Sequence, residues 1–556
     1  MRPPPALDDL FLTAQESAGL YAGAREKPFQ VETPAGCPEC NRGPWRRGQE
    51  EATLKHLFVR KSIAQLHREM EGENRLRRCL GPLQLTSLGI GCIIGTGIFV
   101  LSGQAAHDKA GPALMLSFVV AGVVCIFAAF CYAEFASLVP VAGSAYTYAY
   151  ATLGELAAWI IGWDLVLEYT VASSVVAHGW SHYFQEFIGS LGFHLPNVLH
   201  TAPFDYNPDL GKIVSTGSVL DLMAMVITAL LCVVLVIGIR ESASFNTGMV
   251  LVKLVVVFFV IVVGAFYVNP ANWKPFAPYG LSGVSLFGHT VFGQTGKGGE
   301  PLGMLAGAGI IFFAYIGFDS VSTHAEEAKN PRRDVPIGIM TSLILCTVLY
   351  IAVVAVLTGM VPYDKISIDA PVADAFKQIG LGWADTLISI GAVTGITSVL
   401  LVLMLSQPRV MLAMARDGLL PPSIFGNVHP RFRTPWISQI IMGVCVASLA
   451  AFLPLRILAE LVNIGTLLAF VVVCAAVLIL RRTHPHAHRP FRTPWVPLIP
   501  LLGMAGSLML MFSLPVENWW RLLIWLLAGF GIYFLYGYRH SELRAAMQEP
   551  ALPGEK

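Results

Sequence analysis

Long runs of apolar residues, separated by short polar segments, occupy this chain from about residue 83 to residue 538. Each run is close to or above the ~20 residues that a helix needs to cross a bilayer. In chain order the runs cover residues 83–105, 113–137, 155–189, 218–239, 244–268, 303–326, 335–360, 383–413, 435–453, 457–480, 496–513 and 519–538. The pattern therefore predicts an all-α polytopic membrane protein with about twelve transmembrane helices.

Two of these runs contain residues that interrupt a membrane helix. The first run includes Gly89-Ile90-Gly91-Cys92-Ile93-Ile94-Gly95-Thr96-Gly97, and the sixth includes Phe313-Ala314-Tyr315-Ile316-Gly317-Phe318-Asp319. Glycines in membrane helices often serve only close packing. Interruptions at corresponding positions of two repeated halves, however, are typical of the central site of a transporter. Because hydrocarbon satisfies no backbone N–H or C=O group, both breaks are predicted to lie inside the protein.

Broken helices of this kind suit a ligand that carries two opposite charges. The N-terminus of a half-helix presents N–H groups to a carboxylate, and the C-terminus of a half-helix presents carbonyl groups to an ammonium. A free α-amino acid carries both groups. The breaks therefore indicate a site for a zwitterion.

Composition excludes other classes of protein. Hydrophobic residues make up 55% of the chain and charged residues 13%, with a mean hydropathy of +0.62, which excludes a soluble globular protein. The net charge of +1 gives no basic excess for nucleic acid. The acids and histidines show no metal-ligand or nucleophile spacing, so we expect no enzyme, no metal site and no cofactor.

Basic residues are concentrated in alternate loops, among them residues 75–78, 329–333, 409–433, 481–492 and 539–544. By the positive-inside rule, this distribution predicts a multi-pass protein of the cell (plasma or inner) membrane with both termini in the cytoplasm.

The polar N-terminus is predicted to lie outside the bundle. Residues 1–53 have the composition of a disordered extension, and residues 54–82 fit either a basic amphipathic helix at the membrane surface or a solvated linker. Cys37 and Cys40 form half of a zinc motif without well-spaced further ligands, which favours a disordered leader. The remaining predicted parts are a five-helix repeat (83–268), an extracellular loop (269–302), a second five-helix repeat (303–480), helices 11 and 12 (481–538) and a cytoplasmic tail (539–556).

Lys253, Asp164 and Glu168 are charged residues that lie well inside predicted membrane helices. Lys253 lies in the fifth run and either reaches the nearby interface or faces the interior as a proton-carrying group. Asp164 and Glu168 are four residues apart in the third run and so share one helical face, which is predicted to point inward. Glu168 could contact a substrate, a cation or a buried hydroxyl group.

Four segments together resemble the cationic amino acid transporter family, bacterial branch, of the amino acid-polyamine-organocation (APC) superfamily. They are LGIGCIIGTGIFVLSG, CYAEFASLVPVAGSAYTYAYATLGE, IIGWDLVLEYTVASS and FFAYIGFDSVSTHAEEAKNPRRDVPIGI. The resemblance implies a five-plus-five inverted repeat with broken helices 1 and 6, two additional helices and transport by alternating access.

The resemblance also implies roles for the residues of the two breaks. Backbone N–H groups of Gly95, Thr96 and Gly97 would bind the substrate carboxylate. Carbonyl groups would accept from the substrate amino group, and these belong to Ile93, Phe313, Ala314 and Ile316. Phe313 also resembles an aromatic gate above the site.

Three further positions match residues of the family. Lys253 matches a lysine that, in proton-coupled relatives, replaces a sodium ion bridging the first and eighth spans. Glu168 matches an acid near the substrate side chain. Leu403 aligns with a small polar position of the members that carry cationic substrates, so the pocket is predicted to be more apolar and neutral amino acids become plausible substrates.

These features predict a secondary transporter that imports α-amino acids with protons, whose partners are the amino acid, the proton and membrane lipid. Two alternatives remain open: an amino acid exchanger, and a transporter-like amino acid sensor or receptor without flux.

Overall fold

The computed structural model describes residues 59–61, 78–141, 143–190, 192–207, 212–296, 300–368, 370–453 and 455–548. The predicted extension 1–53, with Cys37 and Cys40, lies outside the described residues, and so do most of the predicted segment 54–82 and the end of the tail.

Helices form most of the regular structure. In chain order they are α1 (Pro82–Ile93), α2 (Ser102–Ala105), α3 (Leu114–Leu138), α4 (Ala145–Thr152), α5 (Glu155–Ser190), α6 (Leu222–Ile237), α7 (Ile239–Ala265), α8 (Met304–Ile311), α9 (Ser320–Thr323), α10 (Pro331–Met360), α11 (Pro371–Gln378), α12 (Gly382–Arg416), α13 (Pro422–Phe425), α14 (Trp436–Phe452), α15 (Leu455–Thr483), α16 (Leu498–Ser513), α17 (Val516–Ile532), α18 (Tyr538–His540) and α19 (Glu542–Gln548).

Short antiparallel strand pairs lie in two of the loops. The strands are β1 (Phe204–Asn207), β2 (Lys212–Ser215), β3 (Val284–Leu286), β4 (His289–Phe292), β5 (Gln294–Thr295) and β6 (Pro301–Leu302). β1 pairs with β2, β3 with β4, and β5 with β6. The predicted loop 269–302 thus contains two of the strand pairs, which the sequence analysis did not predict.

The helices confirm the predicted all-α polytopic fold. Eight stretches among the described residues are long and apolar enough to cross a membrane. The first of them, Pro82–Leu138, consists of two helical segments that are separated at Gly111, where φ is +61°, so it counts as two candidate crossings. With the shorter apolar helices α6, α14 and α16, the described residues contain twelve candidate crossings. Large apolar side chains such as Val233, Val255 and Leu535 are exposed on α6, α7 and the segment after α17, as expected for surfaces that meet lipid.

Helix packing follows a repeat of five crossings. α1 packs on α10, and its counterpart α8 packs on α3; α7 packs on α12, and its counterpart α15 packs on α5. α3 with α10, α5 with α12 and α6 with α14 each pair a helix with its own counterpart. This arrangement is expected for two inverted five-helix halves, with α16 and α17 outside the repeat.

One end of the bundle, which we call the Arg-rich end, is where α10 begins and where α12 and α15 end. Arginines collect there, namely Arg332, Arg333, Arg409, Arg416, Arg481 and Arg482. The two helices that contain the breaks meet this end through the start of α1 and the turn after α9.

Candidate functional site

The first break is a short interruption directly after α1. Ile94 adopts an extended conformation (φ −77°, ψ 105°), and the amides of Ile98 and Phe99 both donate to the carbonyl of Gly95 at 3.1 Å. The helix therefore restarts at Gly95. The N–H groups of Gly95–Gly97 lie in its first turn, where no preceding carbonyl is available one turn earlier.

The glycines of this segment divide into two roles. Gly91 remains helical, and a Cβ added there would lie 2.7 Å from the amide group of Asn246 on α7, so this glycine allows close helix packing. A Cβ added at Gly97 would instead collide with the backbone of Ala314. The first break therefore lies directly against the second, and the interruption is narrower than the predicted segment 89–97.

The second break extends over more residues than the first. After α8 the chain makes a 3₁₀ turn (Phe312–Tyr315), extends at Ile316 (φ −59°, ψ 135°) and reaches Gly317 with φ of +111°. Asp319 holds this conformation, because its carboxylate accepts from the Gly317 amide at 3.2 Å and from the Tyr169 hydroxyl of α5 at 2.6 Å.

Some carbonyls that were predicted to accept from a substrate have partners in the protein. The hydroxyl of Tyr350, on α10, lies 2.6 Å from the carbonyl oxygen of Ile93 and 3.1 Å from that of Ala314. The Phe313 carbonyl accepts from the Ile316 amide at 3.2 Å. A hydroxyl has one proton, so Tyr350 can satisfy only one of its two carbonyls at a time.

Sequence reasoning missed Tyr350. It stands in an apolar run with no motif around it, and only the fold shows that it reaches both breaks.

Lys253 lies inside the protein, not at the interface. Its side chain is fully buried, and Nζ lies 2.9 Å from the Gly91 carbonyl, 2.9 Å from the Ile94 carbonyl and 2.7 Å from the Ser398 hydroxyl of α12. These partners use all three donors of an ammonium group. The lysine thus joins α7 to the first break and to α12.

The acids of α5 also face the interior. Asp164 and Glu168 are buried; among the described residues the Asp164 carboxylate has no hydrogen-bond partner, and the Glu168 carboxylate has the Thr466 hydroxyl group beside it. Asp164 lies beside Gly465 of α15, where an added Cβ would be 2.8 Å from its carboxylate. Because a carboxylate has two acceptor oxygens, Glu168 is able to accept a further hydrogen bond from a ligand.

Two other buried side chains complete the candidate site. The hydroxyl of Thr96 has no partner among the described residues, and its methyl group faces Gly179 of α5. Leu403 lies in α12 and is buried. The structure therefore groups the two breaks with Lys253 and α5, and it places Glu168 and Leu403 on the packed pair α5 and α12.

Metal-binding geometry is not found in the described residues: no group of three or more His, Cys, Asp or Glu side chains is placed to hold a metal ion there.

Known proteins match this chain along most of its length. A family described as amino acid permease matches residues 80–533, a range that includes both breaks and Lys253. The chain is 47% identical over 488 residues to the branched-chain amino acid permease BcaP of Bacillus subtilis (strain 168), and the matched region covers 88% of this chain and 99% of that protein. It is 45% identical over 490 residues to the methylthioribose transporter of the same organism, covering 88% of this chain and 100% of that protein. It is also 38% identical over 439 residues to the vacuolar cationic amino acid transporter 4 of Arabidopsis thaliana, covering 78% of this chain and 68% of that protein.

Proposed function

Because this chain belongs to the amino acid permease family, whose members are transporters and not enzymes, we propose that it imports neutral α-amino acids together with protons. Import follows an alternating-access cycle in which the two breaks bind the substrate. The observation that carries the proposal is the direct contact between the two breaks at Gly97 and Ala314, next to the buried Lys253.

The shared part of an amino acid is bound by backbone groups. The N–H groups of Gly95, Thr96 and Gly97 receive the carboxylate, because they begin a helix and have no earlier carbonyl to bond. The carbonyl groups of the two breaks receive the ammonium, which displaces Tyr350 from the carbonyl that it occupies. Phe313 closes over the bound substrate as the aromatic gate.

Two residues on the walls of the pocket select the side chain. Leu403 favours an apolar side chain, and the similarity to a branched-chain amino acid permease supports the same choice. Glu168, a buried carboxylate with two acceptor oxygens, offers an acceptor that a cationic or hydroxylated ligand would use. We propose that Leu403 dominates and that leucine, isoleucine and valine are the preferred substrates.

Proton coupling depends on Lys253. An ammonium donates to all three of its partners, whereas a neutral amine has only two N–H groups and one lone pair. Loss of the proton therefore weakens the connection between α7 and the first break, at the carbonyls of Gly91 and Ile94. The relative stability of the two access states therefore changes when the lysine gains or loses its proton.

The Arg-rich end lies in the cytoplasm under this proposal, in agreement with the positive-inside rule. Both termini then face the cytoplasm of a cell whose plasma or inner membrane holds the protein.

A second candidate substrate is favoured by one specific observation: the similarity to a methylthioribose transporter covers the whole of that protein. Methylthioribose has hydroxyl groups for Glu168 but neither a carboxylate nor an ammonium for the breaks.

Uptake by purified protein in liposomes tests these proposals. Radiolabelled leucine, arginine and methylthioribose are supplied with an inward proton gradient, with and without sodium, and with or without unlabelled substrate inside. We expect leucine to accumulate with the proton gradient alone. Uptake that requires sodium would refute the role of the proton, uptake that requires internal substrate would identify an exchanger, and binding without flux would identify a sensor.

A further inference from the structure

Two ion pairs join the turn after the second break to α12 at the Arg-rich end. Glu327, in the 3₁₀ turn Ala325–Glu327, binds Arg409 in a two-point contact, with Oε1 2.7 Å from Nη2 and Oε2 3.2 Å from Nε. The neighbouring Glu326 binds Arg416, about two turns further along α12, at 3.0 and 3.2 Å.

The two pairs differ in exposure. The side chains of Glu327 and Arg409 are 1% and 2% exposed, whereas those of Glu326 and Arg416 are 5% and 19% exposed. Exposed pairs contribute little to stability. Removing one partner of a buried pair, in contrast, leaves an uncompensated charge and has a large effect.

The main chain of Glu327 joins the two broken helices to each other. Its carbonyl accepts from the amides of Cys79 and Leu80, both at 2.9 Å, directly before α1 begins. The amide of Lys329 donates back to the Leu80 carbonyl at 2.8 Å. The start of α1 and the end of the second broken helix are therefore one hydrogen-bonded unit at this end.

The side chain of Glu327 is what ties this unit to α12 through a buried charge. Arg409 also donates to the Leu405 carbonyl of its own helix, so the arginine stays anchored to α12 if the unit moves away. Separation of the unit from α12 must therefore break the contact on the glutamate side.

We propose that the Glu327–Arg409 ion pair is the lock that closes the Arg-rich end, and that it must open before the substrate can leave on that side. This inference rests on the proposed alternating-access import. It assigns to Glu327 a positioning role, because the residue acts through the movement of the two breaks and does not touch the substrate.

A cysteine placed behind the closed end reports its opening. Ser322, on α9, is fully buried, and its hydroxyl lies 2.8 Å from that of Ser144 at the start of α4 and 2.6 Å from the Asp319 carbonyl. Ser322→Cys, made in a chain whose ten native cysteines are replaced, keeps nearly the same side-chain size. A membrane-impermeant maleimide supplied at the Arg-rich end then labels this cysteine only when α9 separates from α4.

We expect Glu327→Gln to increase the labelling rate by about tenfold or more, because the buried charge pair is lost. Glu326→Gln is the matched control, and we expect less than about a twofold increase, because its pair is partly exposed. The double variant Glu327→Gln/Arg409→Gln removes both charges of the pair, so no unpaired buried arginine destabilises the structure around it. The ion pair itself is still absent in this variant. Labelling should remain fast in this double variant.

Three results would overturn the lock: slow labelling in Glu327→Gln, a return to slow labelling in the double variant, or an equal increase in Glu326→Gln. Uptake supplies a second readout. The apparent KM for external substrate should rise in Glu327→Gln, because fewer molecules present the site to the outside. The labelling assay needs no substrate, so the lock can be confirmed even if no amino acid is transported, and a failure of the proposed function remains distinguishable.

Discussion

Replacing Lys253 with methionine removes the charge at the contact of α7, the first break and α12 while preserving most of the side-chain volume. The variant deletes three hydrogen bonds, of 2.9, 2.9 and 2.7 Å. The Ser398 hydroxyl lies 3.0 Å from the Gly91 carbonyl and 2.7 Å from the Gly395 carbonyl, so its one proton is shared between them, and the Ile94 carbonyl loses its ammonium donor. A buried acceptor without its donor costs about 1–3 kcal/mol. An effect of that size on one access state would change the ratio of the two states by about 5–150-fold.

The loss of proton coupling is the more diagnostic consequence. A gradient of one pH unit corresponds to about 1.4 kcal/mol, so symport with one proton allows about tenfold accumulation of substrate. We expect wild-type protein in liposomes, with the membrane potential clamped, to approach that ratio for leucine. Lys253→Met should only equilibrate leucine across the membrane.

Ser398→Ala is the matched control for this experiment. It removes a neutral partner of the ammonium but leaves both carbonyls of the first break in place, so accumulation should persist. Accumulation by Lys253→Met that follows the proton gradient as in wild type would refute the reasoning.

Three further substitutions test the candidate site. Gly317→Ala should reduce uptake by more than about tenfold, because φ at this position is +111° and the added Cβ would collide with the Cys92 thiol. Gly309→Ala is the control and should leave uptake unchanged, because its added Cβ would meet nothing within 4 Å. Tyr350→Phe should lower the stability of the ligand-free protein by about 1–3 kcal/mol, because it leaves a buried carbonyl without a donor. In thermal unfolding, saturating leucine should raise the melting temperature of this variant more than that of wild type. Leu403→Ser should raise uptake of arginine relative to leucine by about tenfold, because a change in the size of a side chain that lines an apolar pocket is worth about 1–3 kcal/mol. Competition between the two amino acids for uptake would measure this ratio.

The sequence predicted the features that depend on local composition. Apolar runs of membrane length predicted the helices, and the glycines of the first and sixth runs predicted the two breaks, because a break needs residues that tolerate unusual backbone conformations. The resemblance to the APC superfamily, which the family match confirms, supplied the repeat and the candidate residues.

Features that depend on residues far apart in the chain could not be predicted in the same way. Asn246 shows that Gly91 serves packing, while Ala314 shows that Gly97 serves contact between the breaks, and nothing near either glycine distinguishes the two. Tyr350 and Arg409 stand in apolar helices without a motif, and their partners are found only through the fold.

Binding of leucine and two truncated analogues tests the central claim most directly, namely that the two breaks recognise a carboxylate and an ammonium together. The analogues are 3-methylbutylamine, which lacks the carboxylate, and 4-methylpentanoate, which lacks the amino group. We expect leucine to bind and each analogue to bind at least about a hundredfold more weakly, because each leaves buried backbone groups of one break unpaired. Equal binding of leucine and either analogue, or tight binding of methylthioribose with no binding of leucine, would contradict it.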